Sequence, residues 1–200
     1  MGDWQLLQTV ALAALLAWAS GIRLYLVVFC LGLAGYMDYV ELPAGLKVLQ
    51  HPWVIGSAGV MLLLEFLADK VPGVDSVWDF LHTFVRIPAG ALLAAGATGD
   101  SLNALTVAAG LLGGTITAGT HFTKSATRAT LNTSPEPFSN WGASFTEDAM
   151  VLGAIWLAYA HPVVFLILLA IFLVVSAWLL TVLWRVLRRA WGSTRQKLFA

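Results

Sequence analysis

The sequence predicts an all-α fold, a polytopic helical membrane protein of about six transmembrane spans with a candidate inverted 3+3 repeat built on interrupted helices. Three observations carry that expectation. Hydrophobic residues make up 59% of the 200-residue chain and charged ones only 11%, for a mean hydropathy of +0.81, a balance that suits a bilayer better than water. Apolar runs of span length recur along the chain, each closed by a polar or Pro/Gly-bearing turn. The ionisable residues are also gathered rather than scattered, above all in 65–86, which reads EFLADKVPGVDSVWDFLHTFVR. Charges set among apolar runs either anchor helices at the interface or belong to a functional pathway.

Eleven basic and eleven acidic residues cancel, so no basic surplus points to a nucleic-acid partner. The single cysteine, Cys30, has no intramolecular disulfide partner and sits in an apolar run as a small hydrophobe. Asp3 stands where a signal peptide would carry Lys or Arg, and the apolar run that follows outlasts a signal core, so the first segment reads as a retained helix.

Residues 6–35 are almost continuously apolar apart from Ser20-Gly21-Ile22-Arg23. As one helix they would measure roughly 45 Å against a hydrocarbon core of ~30 Å. Either the helix breaks at Ser20-Gly21, leaving Arg23 in need of a partner, or one tilted helix lets Arg23 snorkel. A polar connection over 36–52 leads to a second span over 53–68, punctuated by Pro72-Gly73. The third span covers 75–97, with Asp75 or Ser76 as N-cap, Asp79 in its first turns and Pro88 as a candidate kink. After a link over 98–103, the fourth span begins at Ala104, passes through a Gly/Thr-rich stretch and continues to Asn132. Residues 133–140 form a proline-stiffened turn around Glu136. A fifth span over 142–160 begins near Glu147 and Asp148, His161-Pro162 turns the chain, and 163–183 is the plainest span of all. Residues 1–184 thus form a single transmembrane helical domain, and 185–200 a basic cytoplasmic tail carrying Arg185, Arg188, Arg189, Arg195 and Lys197, which places the C-terminus in the cytoplasm. Residues 6–97 and 104–184 line up loosely as two three-span units, and an odd span number would invert one relative to the other.

Helical spacing turns the charges into faces. Asp75, Asp79, His82 and Arg86 stack on one side of the third span, Glu65 and Asp69 on one side of the second, and His121, Lys124, Ser125, Arg128 and Asn132 on one side of the fourth. An unpaired charge near a helix centre costs ~2.5–3.5 kcal/mol in lipid, so the stripes should converge on each other. Asp69, Lys70, Asp75 and Asp148 read as caps or boundary charges. Between Glu65 and Asp148 the carboxylates (Glu65, Asp69, Asp75, Asp79, Asp100, Glu136, Glu147, Asp148) outnumber the permanent cations (Lys70, Arg86, Lys124, Arg128) by four. The surplus must meet water, a proton or another cation.

Metal and nucleophile chemistry find little support. Asp79-x-x-His82 and Glu65-x-x-x-Asp69 have ligand spacing, and His121 could join them, but no second histidine accompanies either pair; whether a metal binds stays open. Ser134 and Ser139 lack a nucleophile framework, and no phosphate-cradling loop is present. No cofactor is expected.

EFLADKVPGVDSVWDFLHTFVRIPAGALLA over 65–94, KSATRATLNTSPEPFSN over 124–140 and EDAMVLGAIWLAYAHP over 147–162 resemble an uncharacterised bacterial integral membrane family, domain of unknown function 4126, with the likeness covering 21–162. The resemblance implies a multi-pass protein of the bacterial inner (plasma) membrane and supplies no activity. Function therefore rests on the residues. They suggest a small transporter or channel-like carrier, proton- or cation-coupled and handling an anionic or amphiphilic solute such as a lipid phosphate. Arg86, His121, Lys124, Arg128 and Asn132 would bind the solute, and Glu65, Asp79, His82 and Glu147 would couple protons or ions. Membrane lipid and a second copy of the chain are the expected partners. The alternatives are an intramembrane enzyme acting on a lipid headgroup through Asp79, His82 and His121, or a non-catalytic membrane assembly subunit.

Overall fold

The computed structural model describes residues 2–71, 73–99, 103–132 and 137–198. Pro72, Asp100 and 133–136, which include Ser134 and Glu136, lie outside the described residues, as do the side chains of Arg189, Arg195 and Lys197. The described chain is helical, with no strand among the described residues. Its elements are α1 (Asp3–Tyr36), a 3-10 helix (Ala44–Gln50), α2 (Pro52–Ala68), α3 (Val74–Gly96), α4 (Ala104–Leu131), α5 (Pro137–Ala160) and α6 (Pro162–Leu198).

Polarity is distributed inside out. Leu63 and Leu67 of α2, Phe80 and Phe84 of α3, Leu111 of α4, Trp156 of α5 and Val174 of α6 are exposed, while Arg23, Glu65, Asp69, Arg86 and Arg128 are buried. Only an apolar surrounding makes that arrangement favourable, so the chain is a membrane protein. Among the described residues, Asp3–Tyr36 and Pro162–Arg185 are long and apolar enough to cross a bilayer, and the pair Ala44–Gln50 and Pro52–Ala68, bent by 69°, makes a third candidate. α3 and α5 fall short of that measure with their charged residues, and α4 with its Gly/Thr-rich stretch.

α1 is the axis, with α2 to α6 all touching it. Its Leu15, Leu16, Ala17 and Val27 form the centre of the apolar core. The helix is interrupted at Arg23 (φ −143°, ψ 69°), two residues beyond the expected Ser20-Gly21 break. Cations from other helices accept the interruption: Arg86 Nη1 donates to Gly21 O and Ile22 O, both at 3.2 Å, and Lys124 Nζ donates to Ile22 O at 3.0 Å. Irregular backbone at membrane depth needs such partners. Gly21 serves the crossing with α4 instead. A Cβ there would lie 2.7 Å from Thr117 O and 2.9 Å from His121 N, closer than any side chain could sit.

Local chemistry sets the other boundaries. His51 caps α2 by accepting from Trp53 N, and Pro52 fills the first helical position, where its missing N–H costs nothing. Gly73, at φ 86°, is the N-cap of α3, displacing the expected Asp75 or Ser76; the Asp75 carboxylate works from inside the first turn, accepting from Gly73 N (3.0 Å) and Ser76 N (2.6 Å). Pro88 lies within α3 without ending it. Asn103 caps α4 through Thr106 N. α4 then runs unbroken past Ala118 and His121, so the interruption expected to match that of α1 is not there. α5 begins at Pro137 rather than Gly142, which makes 137–140 helical instead of a turn, and α6 continues through the basic segment to Leu198.

Candidate functional site

The C-terminal ends of α2 and α4 and the N-terminal halves of α3 and α5 meet around the break in α1, and their charged faces close on one another there. Arg23 is fully buried and, from the break in α1, reaches α2 and α5. Its Nη1 donates to Asp69 Oδ2, its Nη2 to Ser144 Oγ (2.6 Å) and Ser144 O (3.1 Å), and its Nε lies 2.8 Å from Asp148 and 3.5 Å from Glu147. Arg86 Nη2 is 2.5 Å from Glu65 Oε1 and 3.5 Å from Asp79. Lys124 sits among four carboxylates, 3.4 Å from Glu147, 3.6 Å from Glu65 and 3.7 Å from both Asp69 and Asp79. Arg128 grips Glu147 as a fork, Nε at 3.0 Å and Nη2 at 2.9 Å, and its Nη1 holds Asp69 O and Asn140 O.

With every group ionised, this node holds five carboxylates (Glu65, Asp69, Asp79, Glu147, Asp148) against four cations (Arg23, Arg86, Lys124, Arg128). Near-balance is what makes burial tolerable, because desolvating one unpaired ion costs several kcal/mol. The residual negative charge matters as much. Glu65 Oε2 and Asp69 Oδ1 are buried and accept no hydrogen bond among the described residues, so the node retains acceptor capacity.

The two histidines differ in what they touch. His121 is buried, with Nε2 2.7 Å from Thr83 Oγ1. The Thr83 hydroxyl gives its proton to Asp79 O at 3.0 Å, which leaves its oxygen free to accept from His121 Nε2. His82 faces the rim: its ring stacks on Trp78, meets the edge of Tyr25, and places Nδ1 2.9 Å from Trp78 O. Asp79 turns the other way, toward Arg86, Lys124 and Ser125 Oγ. The Asp79/His82 spacing therefore brings no ligand pair together, and among the described residues no three His, Cys, Asp or Glu side chains are placed to hold a metal ion.

Asn132 stands outside the node. Its Nδ2 reaches both Asp75 oxygens (2.8 and 2.9 Å), and its Oδ1 accepts from Asn140 Nδ2 at 2.7 Å, closing the end where α2–α3 and α4–α5 turn. The structure thus gathers Glu65, Asp79, Arg86, Lys124, Arg128 and Glu147 into one site, sets His121 beside it, and leaves His82 and Asn132 at its edges. Asp69, the C-cap residue of α2, and Asp148 are both ion-pair partners of Arg23 rather than boundary charges. Lys70 is half-buried, with its ammonium over the Phe66 ring. Arg23, Asn140 and Ser144 were missed as site residues. Arg23 alone carried a signal, as a charge inside an apolar helix in a chain with surplus carboxylates.

A cleft of about 250 Å³ runs between α4, α5 and α6 to the node, with Lys124 and Glu147 on its floor. A larger hollow of about 500 Å³ between α1, α2 and α3 is walled by apolar side chains such as Leu24, Met61 and Leu92.

No curated protein and no solved structure matches the chain. The sequence model of one family matches residues 10–182, nearly the whole helical domain. The chain accordingly belongs to the family described as domain of unknown function (DUF4126).

Proposed function

We propose that the protein is a small membrane carrier of about six spans whose buried ionic node takes up an anionic solute together with a proton. The observation that supports this most directly is the cleft that reaches Lys124 and Glu147, because it gives a solute access to a cation and its counter-ion at once. Glu147 faces Arg23 of α1 and Lys124 and Arg128 of α4; Asp148 lies beside it, and Asp69 of α2 shares the same cations. Protonating Glu147 removes its charge and loosens the Arg128 fork. An anion entering at Lys124 and Arg128 then replaces the charge that was lost, so the node has the same net charge loaded and empty. That conservation is what couples one proton to one anionic charge. Arg86 belongs to the scaffold of this reading, since it holds the break in α1, and His121 with Thr83 borders the node. The inverted arrangement of 6–97 and 104–184 and a cytoplasmic C-terminus are part of the same reading, supported by the basic tail and by the position of the node between the two halves.

In proteoliposomes, Glu147→Gln should reduce proton-coupled uptake of an alkyl phosphate by at least about tenfold while the protein stays monodisperse, because the Gln carbonyl still accepts from Arg128. Uptake at the parent rate would sink the carrier reading.

A further inference from the structure

We infer that the α4/α5/α6 cleft is a lateral portal that binds the phosphate monoester headgroup of a single-chain amphiphile taken from the bilayer, an inference that rests on the carrier reading of the same site. Four features of the cleft carry it, beginning with its position. The backbones of α4 and α5 come close at few points, with Lys124 and Arg128 reaching across to α5, and Met150, which lines the cleft between them, is exposed and apolar, so the mouth opens on a flank of the protein that faces acyl chains. Its walls are two-faced: Ile22, Met150 and Phe172 line it with hydrocarbon, while Lys124 and Glu147 make the floor polar. An occupant must therefore match an ionic end and an apolar end in one short molecule. The volume, about 250 Å³, is at or below the small end of ligand sites. It suits a headgroup with its first carbons, leaving the rest of the chain in the bilayer.

The hydroxyls specify the headgroup further. Thr120, Thr123, Thr127 and Thr146 line the cleft, and each gives its proton to a carbonyl one turn earlier, Ile116 O, Gly119 O, Thr123 O and Gly142 O, at 2.7–2.9 Å. What remains on each is acceptor capacity. The cleft thus offers one ammonium donor and several oxygen acceptors, which fits an oxyanion that carries its own proton. A phosphate monoester in its hydrogen-phosphate form provides anionic oxygens for Lys124 and an O–H for the threonines. A phosphodiester or a carboxylate lacks that O–H.

Binding to the purified full-length chain in detergent, read by calorimetry, tests the assignment with four probes: dodecyl phosphate, dodecyl methyl phosphate, dodecanoate and inorganic phosphate. Dodecyl phosphate should bind at least about tenfold tighter than each of the other three. Thr127→Trp and Ala143→Trp, which fill the cleft without removing a member of the node, should each weaken it by about tenfold or more. Equal binding of inorganic phosphate would overturn the bilayer source, and equal binding of the diester or the carboxylate would overturn the donor argument. Affinity unchanged in both tryptophan variants would overturn the location. Binding that follows these rules in a protein without flux would overturn the carrier reading alone, whereas flux of inorganic phosphate without dodecyl phosphate binding would overturn this inference alone.

Discussion

Arg23→Ala is expected to destabilise the protein by about 3–5 kcal/mol, the cost of leaving buried charges without their partner. The guanidinium joins Asp69 of α2 to Ser144, Glu147 and Asp148 of α5 across the break in α1. Its loss changes five carboxylates against four cations into five against three. Thermal unfolding in detergent, followed by helical circular dichroism or by loss of the monodisperse peak, reads the effect. Arg23→Gln combined with Asp69→Asn removes one charge of each sign and should lose less than the sum of the two single changes, since the sites share partners. A melting curve for Arg23→Ala that overlays the parent's would show that the node does not hold the helices together.

Gly90→Val should be comparably damaging, and for a reason that involves no charge. A Cβ at Gly90 would lie 2.0 Å from Thr117 Oγ1 and 2.8 Å from Thr117 Cβ. Thr117 cannot move aside cheaply, because its hydroxyl lies 2.8 Å from Ala17 O and 2.7 Å from Gly113 O. Gly113 is crowded in turn, with a Cβ there reaching 2.4 Å from Ala94 Cβ. Ala17, Gly90 and Thr117 therefore mark the point where α1, α3 and α4 pack backbone to backbone, the small-residue contact that membrane helices use in place of a hydrophobic driving force. Overpacking of this kind costs about 1–3 kcal/mol for one methyl and more for a branched side chain, so Gly90→Ala should be milder than Gly90→Val. Adding Thr117→Ala, which removes the nearest atom, should recover part of the Gly90→Ala loss. Full stability in Gly90→Val would mean that the crossing is looser than these distances state.

The stripes on α2, α3 and α4 were legible in the sequence because helical periodicity is a local property. Glu65, Asp79, Arg86, Lys124 and Arg128 recur at intervals that fix their face, and desolvation requires charged faces to meet. Arg23 escaped because its partners come from α2 and α5, and pairing across helices leaves no trace in spacing. The carboxylate surplus did announce that a cation was missing, and Arg23 supplies it; its origin in an apolar helix is what concealed it. Asp69 was misjudged for the opposite reason. A carboxylate beside a Pro-Gly turn normally faces water, and only the inward packing of the α2 end against Arg23 and Arg128 buries it. The start of α5 was misplaced because Pro137 reads as a turn residue, although it also suits the first position of a helix.

The sharing of Arg23 between α2 and α5 also orders the making of the protein. The ribosome delivers α1 first, and Asp148, Glu147 and Ser144 emerge some hundred and twenty residues later. Until then Arg23 has only the α2 carboxylates, and Arg128 lacks its Glu147 fork. Until α5 is in place the charges of α1 to α4 lack the contacts that complete their pairing, and burying them away from water before then is costly. Docking of α5 is the step that closes the set, because without it Arg23 and Arg128 keep only the carboxylates at the end of α2.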